Sequence, residues 1–258
     1  GSFLFAFIFL FLYFRVIRVA GFSELLPSQE TIGLIEFPVV LEDPFVKKIN
    51  ETLGLEWNRD IVPWAQEKAA IAFLKNPDRN SENLLPFLLI QTRSTSNAFS
   101  FVKNFKNPKK ELQEVKRNGI TAFSTPAIHF AFLSDVLVVA PTLQNLTVFL
   151  AHQTASSQHL SSDSDFIQIR RNLSGSFFLY IKPREVPEAI FASVAAVIPQ
   201  MPSLTLSFPA LGVAAEKQNA VWRGKSYALV EEKLPMEPIQ PYRAALLPSL
   251  PADADFFI

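Results

Sequence analysis

Three histidines are the side chains best suited to acid–base or metal chemistry near neutral pH. They are His129, His152 and His159, and no HExxH or carboxylate–histidine spacing joins them. His129 lies in a predicted strand, and the other two lie around the end of a predicted helix. We therefore expect surface or partly buried histidines and no metal site.

Serine and aspartate residues also lack a catalytic pattern. Ser174 resembles the serine of a nucleophile elbow, but Asn172 stands where the GxSxG motif needs glycine. Asp163 and Asp165 lie among serines, without the glycine and distal glutamate of a calcium loop. We expect a turn at Ser174 and a helix N-terminus at the aspartates.

Composition excludes further classes of site. The chain has no cysteine, which excludes disulfides, thiolate catalysis and cysteine-bound metals. Only eight of the 258 residues are glycine, which argues against a glycine-rich phosphate-binding loop. We predict a protein that is not an enzyme and has no cofactor. A hydrolase with an unrecognised site is the weakest alternative.

One stretch interleaves basic and aromatic residues, a pattern that suits nucleic acid or lipid headgroups. Glu111 and Glu114 lower its net positive charge, and its phenylalanines partly have the spacing of the buried face of a helix. Lys and Arg together number 24, as do Asp and Glu, so the chain has no overall field that attracts nucleic acid. We interpret the stretch as a solvated face and predict no nucleic-acid partner. Its residues are Phe99, Phe101, Lys103, Phe105, Lys106, Lys109, Lys110, Lys116 and Arg117.

A phenylalanine-rich segment begins the chain. Residues 3–14 read FLFAFIFLFLYF, which is shorter than the about 20 apolar residues of a full membrane span. Missing upstream residues could complete it, or residues 16–20 could do so if the arginines reach the headgroups. Gly1 is not a methionine, and the chain ends in an apolar run, so we expect a fragment of a longer protein. We predict a truncated membrane anchor carried by Phe3, Phe7, Phe11, Phe14, Arg15 and Arg18.

Two other interpretations of this segment stay open. A signal peptide would need small residues at positions −3 and −1 before the cleavage site, and Arg18-Val19-Ala20 supplies one of the two. A buried core helix is the other. The positive-inside rule, applied to Arg15 and Arg18 alone, would place the globular part in the cytoplasm. The opposing flank is absent, so the rule does not decide the orientation.

The elements that position these residues follow a pattern of hairpins and helices. Short β-type runs outnumber those of an alternating βαβ fold, which predicts an α+β domain with a mainly antiparallel sheet. The predicted turns are at residues 134–135, 218–219 and 223–224. Predicted helices span residues 43–54, 61–65, 95–105, 142–150, 163–171 and 187–198. Predicted strands span residues 32–35, 69–74, 87–92, 120–123, 128–133, 136–139, 177–181, 204–208, 212–217, 220–222 and 226–230.

The predicted helix over residues 187–198 is apolar and alanine-rich. One exposed face of it could accept a protein partner or a lipid chain, and packing over the sheet is the alternative. The residues predicted to make this contact are Ile190, Phe191, Val194 and Val197.

A short motif occurs near both ends of the chain. Leu26-Pro27 and the apolar residues after it are echoed by Leu250-Pro251, 224 positions later. The echo predicts that a second copy of the domain begins near the end of the chain.

These motifs resemble the opening signature, LLPADT followed by an apolar strand, of the bacterial family called domain of unknown function 3352. Other features in the family's order are Trp64, the hairpin at residues 130–139, the 163–166 step and the 209–226 meander. The resemblance covers roughly residues 23–258. It implies an extracytoplasmic, membrane-anchored and often duplicated domain with no assigned catalytic residues.

The predicted organisation is an anchor in residues 1–20, an α+β domain in residues 21–240 and the start of a second copy in residues 241–258. We predict a single-pass protein of the bacterial cell membrane, with a globular part outside the cytoplasm that binds a partner or has a structural role. Its partners would be the membrane and an unidentified protein or lipid. The alternative is a carrier of an apolar ligand such as a lipid, held under the 187–198 helix.

Overall fold

The computed structural model describes residues 21–40, 47, 50–51, 55–76, 84–117, 119–153, 158–186, 208–218 and 221–230. The chain divides into two compact units. Unit one comprises residues 1–31 and 38–163, and unit two comprises residues 32–37 and 164–258.

Five α-helices and ten strands lie in the described ranges. The helices are α1 (Phe22–Leu25), α2 (Trp57–Asp60), α3 (Thr95–Asn104), α4 (Leu143–His152) and α5 (Ser164–Asn172). The strands are β1 (Thr31–Pro38), β2 (Ala65–Lys75), β3 (Leu84–Thr92), β4 (Gln113–Arg117), β5 (Ile120–Ser124), β6 (His129–Leu133), β7 (Val136–Ala140), β8 (Phe177–Ile181), β9 (Leu211–Gln218) and β10 (Val221–Ala228).

Unit one contains six antiparallel strands in the order β2-β3-β7-β6-β5-β4. Helices cover both faces. Phe99 of α3 contacts Phe123 and Phe130, which are paired across β5 and β6 and therefore share a face. Phe149 of α4 contacts Phe87. Val139 pairs with both Leu88 and Phe130, so Leu88 and Phe130 lie on the same face of the sheet. The side chain of Phe87, one residue before Leu88, therefore lies on the opposite face. The core of unit one is thus three layers, helix–sheet–helix.

Unit two contains four antiparallel strands in the order β10-β9-β8-β1. Helix α5 lies on them through Phe166, whose ring contacts Tyr180 at 5.1 Å between centroids. Arg170 of the same helix bonds Glu36 at 2.9 Å and lies over the Phe178 ring at 4.1 Å. An aromatic contact and a largely buried ion pair therefore orient the helix on the sheet.

The structure confirms the predicted fold class, α+β with antiparallel strands. It also confirms the predicted hairpin with its turn at Ser134, where φ is 55°. The capped helix after Thr142 and the strand over residues 177–181 are likewise present.

Three local predictions were wrong. The helix expected at residues 61–65 lies at Trp57–Asp60, and Ala65 already begins β2. Strand β4 was not predicted, because its polar sequence has no apolar alternation. Residues 223–224 do not form a turn, since Gly224 pairs with Ala215 inside the continuous strand β10.

Several predicted segments lie outside the described residues. They are the anchor at 1–20, most of the 43–54 helix, the 187–198 helix, nearly all of the 204–208 strand and the second copy at 241–258. Within the described ranges, no helix is both long and apolar enough to cross a bilayer.

Candidate functional site

The residues predicted to form the anchor and the partner contact are not among those that the structure describes. They are Phe3, Phe7, Phe11, Phe14, Arg15, Arg18, Ile190, Phe191, Val194 and Val197.

A serine–histidine pair lies across β5 and β6, where Ser124 and His129 are register partners. The Ser124 Oγ is 2.8 Å from the His129 Nδ1, and burial lowers the pKa of this histidine below its ordinary value. A hydrolytic triad also needs a carboxylate on the second imidazole nitrogen. In the described part of the chain, no carboxylate bonds His129, so the pair is an incomplete triad.

Asp163 and His159 have structural positions. The Asp163 carboxylate accepts a hydrogen bond from the Ser28 Oγ at 2.6 Å, directly before α5 begins at Ser164. His159 forms an isolated β-bridge with Pro27. Among the described residues, no three His, Asp or Glu side chains cluster as ligands for a metal ion.

A groove in unit one is the strongest candidate site. It encloses about 410 Å³, within the size range of small-molecule sites. Its walls come from the turn after α1, the C-terminal end of β2, the N-terminal end of β3, and helix α4. The lining residues are Gln29, Glu30, Leu74, Lys75, Asn76, Leu85, Phe87, Asn145, Val148, Phe149 and His152.

The floor of the groove is apolar and buried. Leu74 and Leu85 are register partners across β2 and β3, and Phe87 lies two residues along on the same face. The ring of Phe149 from α4 packs on Phe87 with centroids 5.0 Å apart. All four side chains are less than a tenth exposed, so the floor belongs to the core of the unit.

The rim of the groove is polar. Gln29 and Lys75 are exposed, while Glu30, Asn145 and His152 are half-buried. The backbone N–H of Lys75 donates to the Glu30 carbonyl at 2.8 Å, which joins the turn to the end of β2. Carboxylate, ammonium, amide and imidazole groups thus surround an apolar floor.

Hydrogen bonds to residues 158–163 and to Gln153, the residue after α4, hold the turn that forms one wall. The Leu160 N–H donates to the Leu26 carbonyl at 2.7 Å, and the Ser28 N–H donates to the Gln158 carbonyl at 2.8 Å. The Gln153 side chain donates to the Leu25 carbonyl at 2.6 Å. Leu25 and Leu26 are buried, which gives the Leu-Leu-Pro motif a structural role beside the groove.

The sequence did not reveal the groove. Its lining spans residues 29–152, and four separate elements contribute to it: the turn after α1, β2, β3 and α4. The sequence pattern places His152 only at the end of a predicted helix, because no local spacing links it to Glu30 or Lys75. The arrangement can bind a ligand that has both an apolar part and a polar group.

Comparison with known proteins gave one family and a small set of structures. A family model described as "Protein of unknown function (DUF3352)" matches residues 43–258. Crystal forms I and III of TP0453 are similar to the chain at 14% identity, each with a TM-score of 0.48. The matches cover 81% of this chain and 79% of form I, and 82% and 81% for form III. No curated protein matches the chain significantly.

Proposed function

Since this chain belongs to the DUF3352 family of proteins of unknown function, we propose that it is a membrane-anchored binding protein of the bacterial envelope. Its globular part lies outside the cytoplasm and binds a small amphipathic ligand in the groove of unit one. The role is recognition of the ligand and not its chemical conversion.

The groove is the observation that supports binding. The edges of Leu74, Leu85, Phe87 and Phe149, together with the half-buried Val148, give the groove a small apolar surface, and covering it with an apolar group of the ligand favours binding. Its rim offers polar groups that orient the ligand. The hydrogen-bonded turn and the core packing preform the walls, which lowers the entropy that a ligand loses on binding.

The lining favours an amphipathic ligand over a wholly apolar one. Six of the eleven lining residues are polar, and Glu30, Lys75 and His152 bear ionisable groups. A wholly apolar ligand would remove water from these groups without replacing their hydrogen bonds. A carrier of an apolar ligand, as expected under the 187–198 helix, is therefore not the function that this groove favours.

Membrane attachment is supported by the sequence. Residues 3–14 are an uninterrupted apolar run in the sequence, and a helix of this composition would have no polar face, which suits lipid better than water. The placement outside the cytoplasm rests on the family resemblance, against the positive-inside rule applied to Arg15 and Arg18. Protease treatment of spheroplasts tests it, because digestion of the globular part without lysis is expected and protection would contradict it.

Native mass spectrometry of the detergent-solubilised chain tests ligand binding. We expect a co-purifying adduct on the wild type and its loss in Val148→Trp, because the indole would fill the groove. The control is Gln144→Trp, an exposed position on the same helix outside the groove, which should keep the adduct. Absence of an adduct from the wild type, or its retention in Val148→Trp, would contradict the proposal.

A further inference from the structure

The segment that connects α3 to β4 forms a compact, positively charged loop in unit one. We call residues 103–111 the lysine loop. It carries four lysines, of which Lys106, Lys109 and Lys110 are exposed and Lys103 is half-buried. Between residues 103 and 117 there are six basic and two acidic residues, so this stretch has a charge of 6 − 2 = +4.

A buried asparagine holds the lysine loop in shape. The Asn107 side chain donates to the Lys103 carbonyl at 3.0 Å and to the Glu111 carbonyl at 2.7 Å, which closes the loop on itself. The Lys110 N–H donates to the Asn107 carbonyl at 3.1 Å. The loop therefore presents its lysines from an ordered backbone.

Two of these lysines have a backbone conformation that is costly for residues other than glycine. The φ angle is 42° at Lys106 and 53° at Lys110, both in the left-handed region. Such strain persists only where the surrounding structure imposes it, and it concentrates at functional sites. Here the two residues lie in two successive turns, closed by the Asn107 N–H on the Asn104 carbonyl at 3.3 Å and by the Lys110 N–H on the Asn107 carbonyl, and the two turns carry Lys106, Lys109 and Lys110.

Aromatic rings lie directly beside the lysines. Phe101 and Phe105 are half-buried with ring centroids 5.5 Å apart, and the Lys106 Nζ lies 5.4 Å from the Phe105 centroid. Trp64 packs on Phe101 at 5.9 Å and donates its indole N–H to the Asp60 carbonyl at 2.6 Å. The charged loop thus lies against a cluster of packed aromatic rings.

We propose that the lysine loop binds the anionic headgroups of the membrane to which the chain is tethered. The inference rests on the proposed tether. Lysines beside partly exposed aromatic rings suit the interface between headgroups and acyl chains. Outside residues 103–117 this neutral chain has a charge of −4, so the positive stretch that contains the loop orients the molecule towards an anionic surface.

A lipid surface fits the loop better than nucleic acid does. Phe101 packs on Phe105 and on Trp64, and both phenylalanine rings are half-buried, so they form one packed cluster and not the row of separate ring faces on which successive bases stack. Glu111 ends the loop and Glu114 follows on β4, so the basic area is small. A compact cluster of lysines suits a headgroup surface, whereas a nucleic-acid groove needs an extended basic strip.

Energy transfer from the loop to the lipid tests the proposal. Because the chain has no cysteine, Pro108→Cys creates a unique labelling position at an exposed residue of the loop. The labelled full chain is placed in nanodiscs with headgroup-labelled acceptor lipid, made of phosphatidylcholine alone or with phosphatidylglycerol. We expect greater transfer with phosphatidylglycerol, and loss of the increase at high salt.

Charge reversal supplies the matched comparison. We expect the variant Lys106→Glu/Lys109→Glu/Lys110→Glu to lose the phosphatidylglycerol-dependent increase. The control Lys217→Glu/Arg223→Glu/Lys225→Glu reverses the same number of charges at exposed positions of unit two and should keep it. Equal loss in both variants, no dependence on phosphatidylglycerol, or abolition of the increase by a competing oligonucleotide would overturn the proposal.

Failure of the tether is a separate result. Co-elution of the chain with the nanodiscs reports the tether, whatever the energy transfer shows. If the chain does not co-elute, sedimentation with phosphatidylglycerol vesicles tests the loop by itself. The loop variant must then bind at least about tenfold more weakly than the unit-two control, and equal binding would overturn the proposal.

Discussion

At the scale of single residues, Gly212 on β9 has no room for a side chain. A methyl group there would overlap Ile169 Cγ2 and lie 2.8 Å from Leu173 Cδ1, both at the α5 side of unit two. We expect Gly212→Ala to lower the free energy of unfolding by about 1–3 kcal/mol, because the helix must move outwards. Urea denaturation of the detergent-solubilised chain, followed by circular dichroism, measures this change.

Gly224 on the neighbouring strand is the control for Gly212. A methyl group there meets nothing nearer than the Ala214 carbonyl oxygen at 3.6 Å, an ordinary contact. We expect Gly224→Ala to leave the stability unchanged or to raise it by up to about 1 kcal/mol, since alanine loses less chain entropy. Equal destabilisation by both substitutions would show that backbone conformation, and not the α5 contact, requires Gly212.

His129 makes the stability of unit one depend on pH. Burial lowers its pKa in the folded state, so the unfolded chain binds a proton more readily. Stability is therefore full above the unfolded pKa of 6.5 and falls as the pH drops from there to the folded pKa. The loss is at most about 1.4 kcal/mol per pH unit.

Comparison with His129→Gln isolates this contribution. Trp57 and Trp64 lie in unit one and Trp222 in unit two, so both proteins carry Trp222→Phe and the remaining fluorescence during urea denaturation reports the unfolding of unit one. The difference in unfolding free energy between wild type and variant should change only below about pH 6.5. A constant difference across this range would show that the histidine does not titrate between the two states.

At the scale of elements, helix α4 depends on its N-terminal cap. The Thr142 Oγ1 accepts a hydrogen bond from the Asn145 N–H at 3.1 Å. We expect Thr142→Ala to lower the stability of unit one by about 1 kcal/mol, because a backbone N–H loses its partner. Urea denaturation monitored by tryptophan fluorescence in the Trp222→Phe background measures the loss.

The cap should also affect the groove, because α4 carries four of the lining residues, Asn145, Val148, Phe149 and His152. Fraying of the first turn should weaken the ligand adduct seen by mass spectrometry. Thr142→Ser keeps the hydroxyl group and should restore both stability and adduct. If serine were as destabilising as alanine, the threonine methyl group and not the cap would be the important feature.

Element prediction succeeded where local pattern and burial agree. The hairpin β6–β7 has apolar strands around a polar Ser134-Asp135 turn, and both strands are buried in the sheet. Strand β4 has no such pattern, because it lies at the end of the strand order and carries exposed polar residues. Pairing with β5, a tertiary interaction, decides its conformation.

Gly224 shows the same limit for turns. An Arg-Gly dipeptide favours a turn by local propensity. In the folded unit, the residues on both sides pair with β9 over eight positions, and this ladder keeps the glycine extended. Long-range hydrogen bonding therefore overrides the local preference.

At the scale of the whole molecule, the proposed anchor makes a direct prediction. Alkaline carbonate should leave the wild-type chain in the membrane pellet. Phe7→Asp/Phe11→Asp should release it, because each carboxylate near the centre of a membrane helix costs about 2.5–3.5 kcal/mol. Phe7→Leu/Phe11→Leu is the matched control and should stay in the pellet. Extraction of the wild type by carbonate would contradict the anchor.

By itself, the sequence determined the α+β class, most of the strands and capped helices, and the family resemblance. These depend on local patterns, such as apolar alternation, turn residues and short motifs. Residues that are close together in the sequence are enough to define such patterns. Only the tertiary structure decided the groove and the lysine loop. Glu30, Lys75 and His152 come together through pairing and packing across more than a hundred residues. The sequence predicts a solvated face for the basic stretch. In the structure, residues 103–111 of this stretch form an ordered loop, because the buried Asn107 closes it.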